Sequence, residues 1–371
     1  MQKGLRTWIE VDTKALRRNY TFFRRSLGKE RRLMAIVKSN AYGHGLVDFS
    51  RAVSRLGADW LGVDSVIEAL ALRRAGIRTP LLVLGATLPE NCHKAARASI
   101  RVTVSTLSGL RAAAASGARF HLKVDTGMHR QGFLLAEMPM ALAEMRALRV
   151  GTRQFEGLYT HLASPAMARF RRETRAQIAE FRRAAALVGK AGYRPLRHAA
   201  ATGGALCNPA ALFDMARIGI GLYGLLPGEL AARPGRFSVL HPILSWKTRI
   251  TEVKELPRGV RVGYDFTTRL ARPSRLAVLP VGYWHGYPRL LSNRGEVLVE
   301  GVRASVVGRV SMDMLVIDVT DIPRAGEGSE AVLIGRSGRA EISAPELAAG
   351  ARTSAYEILT RLNPLMKKVY L

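Results

Sequence analysis

Met34-Ala35-Ile36-Val37-Lys38-Ser39-Asn40-Ala41-Tyr42-Gly43-His44-Gly45 brings a short apolar run up to one lysine and follows it with a polar loop broken by glycine. Ile36 and Val37, apolar and β-branched, read as a buried strand. Gly43 and Gly45 permit tight backbone geometry, or close approach to a ligand, just beyond it. Lys38 therefore stands where a strand meets a loop. One reading is a lysine whose stem is buried and whose ammonium reaches back to water. The other is a reactive amine, because a lysine taken out of water loses its preference for the charged form. The rest of the chain decides between them.

The 371 residues suffice for one large α/β domain and a smaller second one. A hydrophobic content of 48% and a mean hydropathy of +0.02 are those of a soluble globular protein. Cys92 and Cys207 offer at most one bridge and no metal-ligand spacing, so a reducing compartment and no metal are expected. Trp8 to Asp12 alternates like a strand rather than forming a signal-peptide core, and no apolar run approaches membrane-spanning length. A cytoplasmic protein without membrane contact is the expectation. The charge is less ordinary, 57 Lys+Arg against 29 Asp+Glu for a net +28. Such an excess would suit a polyanion. The basic residues are nonetheless spread along the chain, and the densest patch, Arg169 to Arg183, has Glu173 and Glu180 among its arginines. With no aromatic RNA-binding signature and no zinc-finger spacing, no specific nucleic-acid function is expected.

Apolar, β-rich runs recur at Leu33–Lys38, Trp60–Val63, Leu81–Leu84, Arg101–Val104, Phe120–Val124, Phe155–Tyr159, Leu196–Ala199 and Met215–Ile218. Alanine-rich amphipathic stretches such as Val66–Ala75, Leu107–Ala115 and Arg169–Val188 separate them. Eight strand–helix steps imply parallel pairing and a (β/α)8 TIM-type barrel, with a doubly wound open sheet as the rival. The rhythm breaks at Leu225-Leu226-Pro227-Gly228 and a polar segment to about Arg236. Short alternating runs follow at Ile243–Val253, Leu276–Tyr283, Gly295–Glu300, Val306–Val310, Met314–Val319 and Ala331–Ile334, with helical signal at Ala344–Gly350 and Tyr356–Leu362. This predicts a barrel over residues 1–235, whose first ten or so residues pack on the second domain, and a smaller, mostly β C-terminal domain over 236–371.

In such a barrel, functional groups lie just past the C-terminal ends of the strands. Lys38 and Tyr42 end the first, Lys123 through Arg130 the fifth, His161 the sixth; His198 leads to Thr202-Gly203-Gly204, and Arg217 to Gly219-Ile220-Gly221. The last two loops are where this fold most often seats a phosphate on backbone N–H groups and hydroxyls. Each residue alone has a plain structural explanation, but their joint placement on one rim suggests a functional site. A phosphate seat and a strand-end lysine suggest pyridoxal 5′-phosphate (PLP), the lysine engaging the aldehyde. A cofactor-free Schiff-base aldolase fits the same residues.

The chain also resembles the alanine racemase family of fold-type III PLP enzymes over nearly its whole length. The matching motifs are Ala35 to Gly45, Lys123–Gly132, Arg217–Gly224, Val281–Arg289 and Gly308-Arg309-Val310-Ser311-Met312-Asp313. The resemblance implies a racemase that interconverts L- and D-alanine and supplies D-alanine for peptidoglycan. Lys38 would carry the cofactor and act as the base for the D-enantiomer. Tyr264, in Val262-Gly263-Tyr264-Asp265, would be the opposite base, reaching the site with Met312 from the second subunit of a homodimer. Tyr42, Thr202, Gly219, Ile220 and Tyr356 match phosphate-binding positions. Arg130 matches an arginine near the substrate carboxylate, and Lys123 a lysine that is often carbamylated. His161 is assigned to assist Tyr264 and His198 to orient Arg217. Arg217 would sit beside the pyridine nitrogen and keep it unprotonated, where related barrel decarboxylases place a carboxylate.

Three departures bear on substrate choice. The family's usual Gly-Tyr-Ala-Asp-Gly is here Gly282-Tyr283-Trp284-His285-Gly286, the usual asparagine before Thr202 is Ala201, and the loop Leu162 to Met167 lacks its common acidic residue. Alanine is the expected substrate, with another small amino acid such as serine as the alternative. A non-catalytic PLP carrier of the same barrel type would lack the second domain and Tyr264.

Overall fold

The computed structural model describes residues 4–231 and 235–371; part of the polar stretch expected before Arg236 thus lies outside the described residues. The chain forms two compact units. One contains Lys14–Ala41 and Leu46–Pro242; the other takes the chain up to Thr13, Tyr42–Gly45 and Ile243–Leu371. The first strand, β1 (Thr7–Val11), belongs to the second of these.

The larger unit is the barrel. Its strands are β2 (Arg32–Ile36), β3 (Trp60–Val63), β4 (Leu81–Ala86), β5 (Ile100–Val104), β6 (Phe120–Lys123), β7 (Phe155–Tyr159), β8 (Leu196–His198) and β9 (Met215–Ile218). All neighbours are parallel, in the order β8-β7-β6-β5-β4-β3-β2-β9. The ends of that order meet as well: Asp214 N–H donates to Arg197 O at 3.0 Å and Arg217 N–H to Ala200 O at 2.9 Å. That joint closes the sheet into the predicted (β/α)8 form and rules out the open-sheet rival. The strands are nearly continuous apolar runs because both faces are covered, one by the barrel interior and one by helices. Trp60, Phe120 and Phe155 are almost wholly buried, each contributing roughly 1.5–3 kcal/mol of burial. Local chemistry starts the helices: Ser65 and Thr106 accept the N–H of Glu68 and Gly109 at 3.3 and 3.1 Å, capping Val66–Arg74 and Leu107–Ser116. Among the described residues, no helix is long and apolar enough to cross a membrane.

The second unit is mostly β. It contains β10 (Leu244–Arg249), β11 (Glu252–Leu256), β12 (Arg261–Val262), β13 (Thr268–Arg269), β14 (Ser274–Leu279), β15 (Glu296–Val299), β16 (Val302–Val307), β17 (Leu315–Asp318), β18 (Glu330–Ser337), β19 (Ala340–Ile342) and β20 (Lys367–Tyr370). The main sheet runs β11-β14-β17-β16-β15-β18-β10-β1-β20. The single run expected over Ile243–Val253 is two strands. Ile250 N–H turns to Ser329 O (2.9 Å) and Thr251 N–H to Val278 O (3.0 Å), so the chain leaves β18 and pairs with β14 instead.

Candidate active site

Lys38 follows β2 after the single residue Val37, and the backbone after it is unusual. Ser39, Asn40, Ala41 and Tyr42 have φ of 55°, 55°, 50° and 50°, a left-handed turn without a glycine. Each such residue costs roughly 1–2 kcal/mol, so neighbours must hold the turn. Ala41 N–H donates to Val37 O (2.9 Å), Asn40 Oδ1 accepts Leu46 N–H (2.9 Å), and Asn40 N–H donates to Glu68 Oε1 (3.1 Å). The Lys38 side chain is 39% exposed and its Nζ lies 3.6 Å from Asp64 Oδ1. The left-handed turn presents it at the rim rather than in the apolar interior.

On the neighbouring strand β9, which pairs with β2, Arg217 is 2% exposed and has no carboxylate partner among the described residues. Carbonyls take its place: Nη2 donates to Thr160 O (2.7 Å) and Ala199 O (3.0 Å), and Nη1 to His198 O (3.1 Å). Its two other acceptors are Nδ1 of His198 (2.9 Å) and Nδ1 of His161 (3.2 Å). A guanidinium only donates, so both imidazole nitrogens must be lone pairs. His198 then carries its proton on Nε2 and gives it to Nδ1 of His121 at 2.8 Å. Burial and the Arg217 charge push His198 well below the usual imidazole range; burial, with Arg101 and Arg217, takes His121 to about 3. His161 also falls to about 3, by burial and then Arg217, Lys123, Arg130 and Lys38. Even the guanidinium is lowered by burial, to about 10, and so stays charged near neutrality. Gly157 makes this arrangement possible, since a Cβ there would lie 2.2 Å from the His121 ring.

Tyr159 lines the space between the cations. Its ring stacks on His198 at 4.7 Å and lies under the Arg217 guanidinium (5.2 Å) and the Lys123 ammonium (5.4 Å). Lys123, 5% exposed, donates to Gln131 Oε1 at 3.0 Å. Burial, followed by Arg217, Arg130 and Lys38 and opposed by Asp125, lowers its ammonium to about 8. Arg130 is placed by Asp125, whose carboxylate accepts the N–H groups of Gly127, Met128, His129 and Arg130, all at 3.0 Å. Burial opposes ionisation of Asp125, yet those four donors together hold its carboxyl below the ordinary range.

Thr202, Gly219 and Ile220 meet where the loops after β8 and β9 converge. Thr202 Oγ1 accepts Gly219 N–H (3.1 Å) and Gly221 N–H (3.4 Å). The first backbone bond of the helix Thr202–Cys207 is Ala205 N–H to Ala201 O (2.8 Å), so the N–H groups of Thr202, Gly203 and Gly204 open that helix without intrahelical acceptors. Ile220 is 2% exposed, and its N–H has no acceptor among the described residues. Converging buried donors of this kind suit a phosphate. The strand-end lysine, a phosphate seat and a buried cation on the adjoining strand fit the donor set PLP requires.

In the second unit, Tyr42 and Tyr356 pack with ring centroids 6.0 Å apart, and burial with the neighbouring Tyr356 raises the Tyr42 phenol. Tyr264 is 70% exposed, on a loop where Asp265 adopts φ 59° and pairs with Arg309 Nε at 2.7 Å. Met312 is exposed as well; its carbonyl accepts Trp284 N–H (3.0 Å), and Ser311 O accepts Tyr283 N–H (3.0 Å).

Residues 11–227 match the family model "Alanine racemase, N-terminal domain" and residues 243–370 match "Alanine racemase, C-terminal domain". The chain belongs to the alanine racemase family. A protein of Symbiobacterium thermophilum named alanine racemase is 43% identical, over 99% of this chain and 98% of its own. One of Syntrophobacter fumaroxidans with the same name is 40% identical over 95% and 94%. Among solved structures, the alanine racemase of D-cycloserine-producing Streptomyces lavendulae superposes with a TM-score of 0.91 at 35% identity, covering 100% of this chain and 98% of that one. The Bacillus anthracis alanine racemase, solved with L-Ala-P bound, gives a TM-score of 0.92 at 32% identity, with 99% and 95% covered.

Against that family background, the departures noted from sequence have definite places. His285 is buried, and its Nδ1 accepts Gly282 N–H at 3.2 Å, so it braces the loop that carries Tyr283 and Trp284. Ala201 precedes the Thr202 helix and offers no side-chain cap. The geometry also brings in residues that carry little signal in the sequence. His121 hides inside an apolar strand, and Asp64 and Glu68 read as an ordinary helix start. Asp125 lay within a recognised motif, where its four nearby N–H groups were the available signal.

Proposed function

We propose that the chain is a PLP-dependent alanine racemase that uses Lys38 and Tyr264 as its two bases. The observation that carries this reading is Arg217, a buried guanidinium held by carbonyls and neutral imidazoles on the same barrel rim as Lys38. Thr202, Gly219, Ile220, Tyr42 and Tyr356 would hold the cofactor's phosphate. Arg217 would meet its ring nitrogen and, as a donor only, keep that nitrogen free of a proton. PLP, when bound, supplies an electron sink that lets the substrate Cα release its proton. A weaker sink, with its ring nitrogen unprotonated, favours racemisation over competing chemistry.

The proton traffic belongs to the protein. Racemisation requires a proton to leave one face of Cα and return on the other, so two acid–base groups must flank it. Lys38 Nζ takes or delivers the proton on the face lost from D-alanine, and Tyr264 Oη serves the L-face. Arg130, oriented by the Asp125 loop, would hold the substrate carboxylate in a charge-assisted pair. Tyr264 and Met312 are supplied by a second copy of the chain in a homodimer; the exposed Tyr264, Phe266, Trp284, Met312 and Met314 suit a surface that another copy covers. The enzyme works in the cytoplasm and supplies D-alanine for peptidoglycan.

Racemisation assays over a panel of L- and D-amino acids test this directly. Alanine should turn over fastest; faster turnover of serine would transfer the scaffold to that substrate. Lys38→Ala should abolish the visible cofactor band. Tyr264→Phe should retain the band and lose activity starting from L-alanine, and full L-side activity would remove Tyr264 from its role.

A further inference from the structure

Glu68 has no part in the chemistry described above, yet it ties together the two loops that flank Lys38. We propose that Glu68 is a positioning residue for Lys38, its carboxylate clamping both the left-handed turn after Lys38 and the peptide of Asp64. The inference rests on Lys38 being the cofactor-bearing amine.

Glu68 is the third residue of the helix Val66–Arg74, whose cap is Ser65. An acid at that position ordinarily turns back to the N–H of the cap residue. Here Oε2 reaches one residue further, to Asp64 N–H at 2.8 Å, and Oε1 accepts Asn40 N–H at 3.1 Å. One carboxylate can satisfy both donors with charge-assisted bonds. Asp64 is held from its other side as well, since Gly85 N–H donates to Asp64 O at 3.1 Å. A Cβ on Gly85 would lie 2.4 Å from that oxygen, so the contact requires glycine. With its peptide fixed at both ends, Asp64 directs Oδ1 to within 3.6 Å of Lys38 Nζ.

Ser39 and Ala41 do not favour their left-handed conformation, which Asn40 tolerates better, and that turn begins at the peptide that follows Lys38. Its geometry sets where the Lys38 side chain leaves the backbone. Without Glu68, the turn keeps the Ala41 and Asn40 side-chain bonds but loses its link to the end of β3. A Glu68 that merely started its helix would matter for stability and leave Lys38 untouched.

The test uses the full chain freed of cofactor. PLP is added, and the rate at which the visible band forms is followed in the unsubstituted protein, Glu68→Gln, Glu68→Ala, and Glu68→Ala combined with Ser39→Gly. Loss of a charge-assisted backbone bond should slow capture about ten-fold in Glu68→Ala, and less in Glu68→Gln, which keeps one acceptor oxygen. Ser39→Gly should restore most of the rate, because glycine takes φ near 55° without penalty. On the loaded enzyme, the Cα-deuterium isotope effect should rise for D-alanine consumption and not for L-alanine, as only the Lys38 side is impaired. Unchanged capture in Glu68→Ala overturns the proposal, as does slow capture that follows a lowered Tm and is not rescued by Ser39→Gly. If the unsubstituted chain captures no PLP, the function proposed above falls and this inference with it; normal capture in both proteins removes Glu68 alone.

Discussion

Arg217 Nη1 donates to Nδ1 of His198 at 2.9 Å, and that contact sets the protonation of two further imidazole nitrogens in turn. His198 must hold its proton on Nε2, and His121 must accept it on Nδ1. The buried charge is thus surrounded by neutral rings that cannot take a proton without facing it.

The pH dependence of stability follows. His121, His161 and His198 all titrate lower in the folded chain than in the unfolded one, His121 and His161 at about 3. Their contribution is therefore complete above the ordinary imidazole range near ~6.5 and is lost as pH falls from there toward about 3. Urea unfolding at a series of pH values should lose up to about 1.4 kcal/mol per pH unit for each histidine. His121→Phe should flatten that slope by about a third; an unchanged slope would show that His121 is not held neutral.

Lys123 is lowered to about 8 and lies among Arg217, Arg130 and Lys38. A neutral amine in so cationic a setting favours reaction with CO2, because the carbamate formed is an anion. Intact mass measured under native conditions in bicarbonate should show one added CO2, absent in Lys123→Gln. A mass without the adduct would leave Lys123 as a structural lysine bonded to Gln131.

Thr202 Oγ1 serves two buried N–H groups, those of Gly219 and Gly221. Thr202→Ala should weaken PLP binding about ten-fold or more, since two donors lose their partner, while Thr202→Ser should remain near the parent. Spectroscopic PLP titration of the cofactor-free chain measures both.

Asp125 gathers four backbone N–H groups and so shapes the loop that ends in Arg130. Asp125→Ala should raise KM for alanine about ten-fold, with a smaller effect from Asp125→Asn, which keeps one acceptor oxygen. Steady-state kinetics separate KM from kcat; an unaltered KM would mean that Arg130 finds its position without this loop.

The barrel was legible because buried parallel strands leave continuous apolar runs, and those at Trp60–Val63, Phe155–Tyr159 and Met215–Ile218 coincide with the strands found. The left-handed turn was not. Gly43 and Gly45 are the residues whose type signals positive φ, whereas the strained residues precede them and are held by Glu68 from the helix Val66–Arg74. β20 (Lys367–Tyr370) escaped because two of its four residues are lysines and its place beside β1 depends on distant pairing. His121 escaped for the opposite reason, as one polar residue inside an apolar strand whose partner lies 77 residues away.

The proposed function stands on Lys38 as the residue that carries the cofactor. Borohydride reduction of the PLP-loaded chain, followed by proteolysis and peptide mass mapping, tests it most directly. One pyridoxyl adduct should appear, on the peptide containing Lys38. An adduct on Lys123 or any other lysine, or none at all, would contradict it.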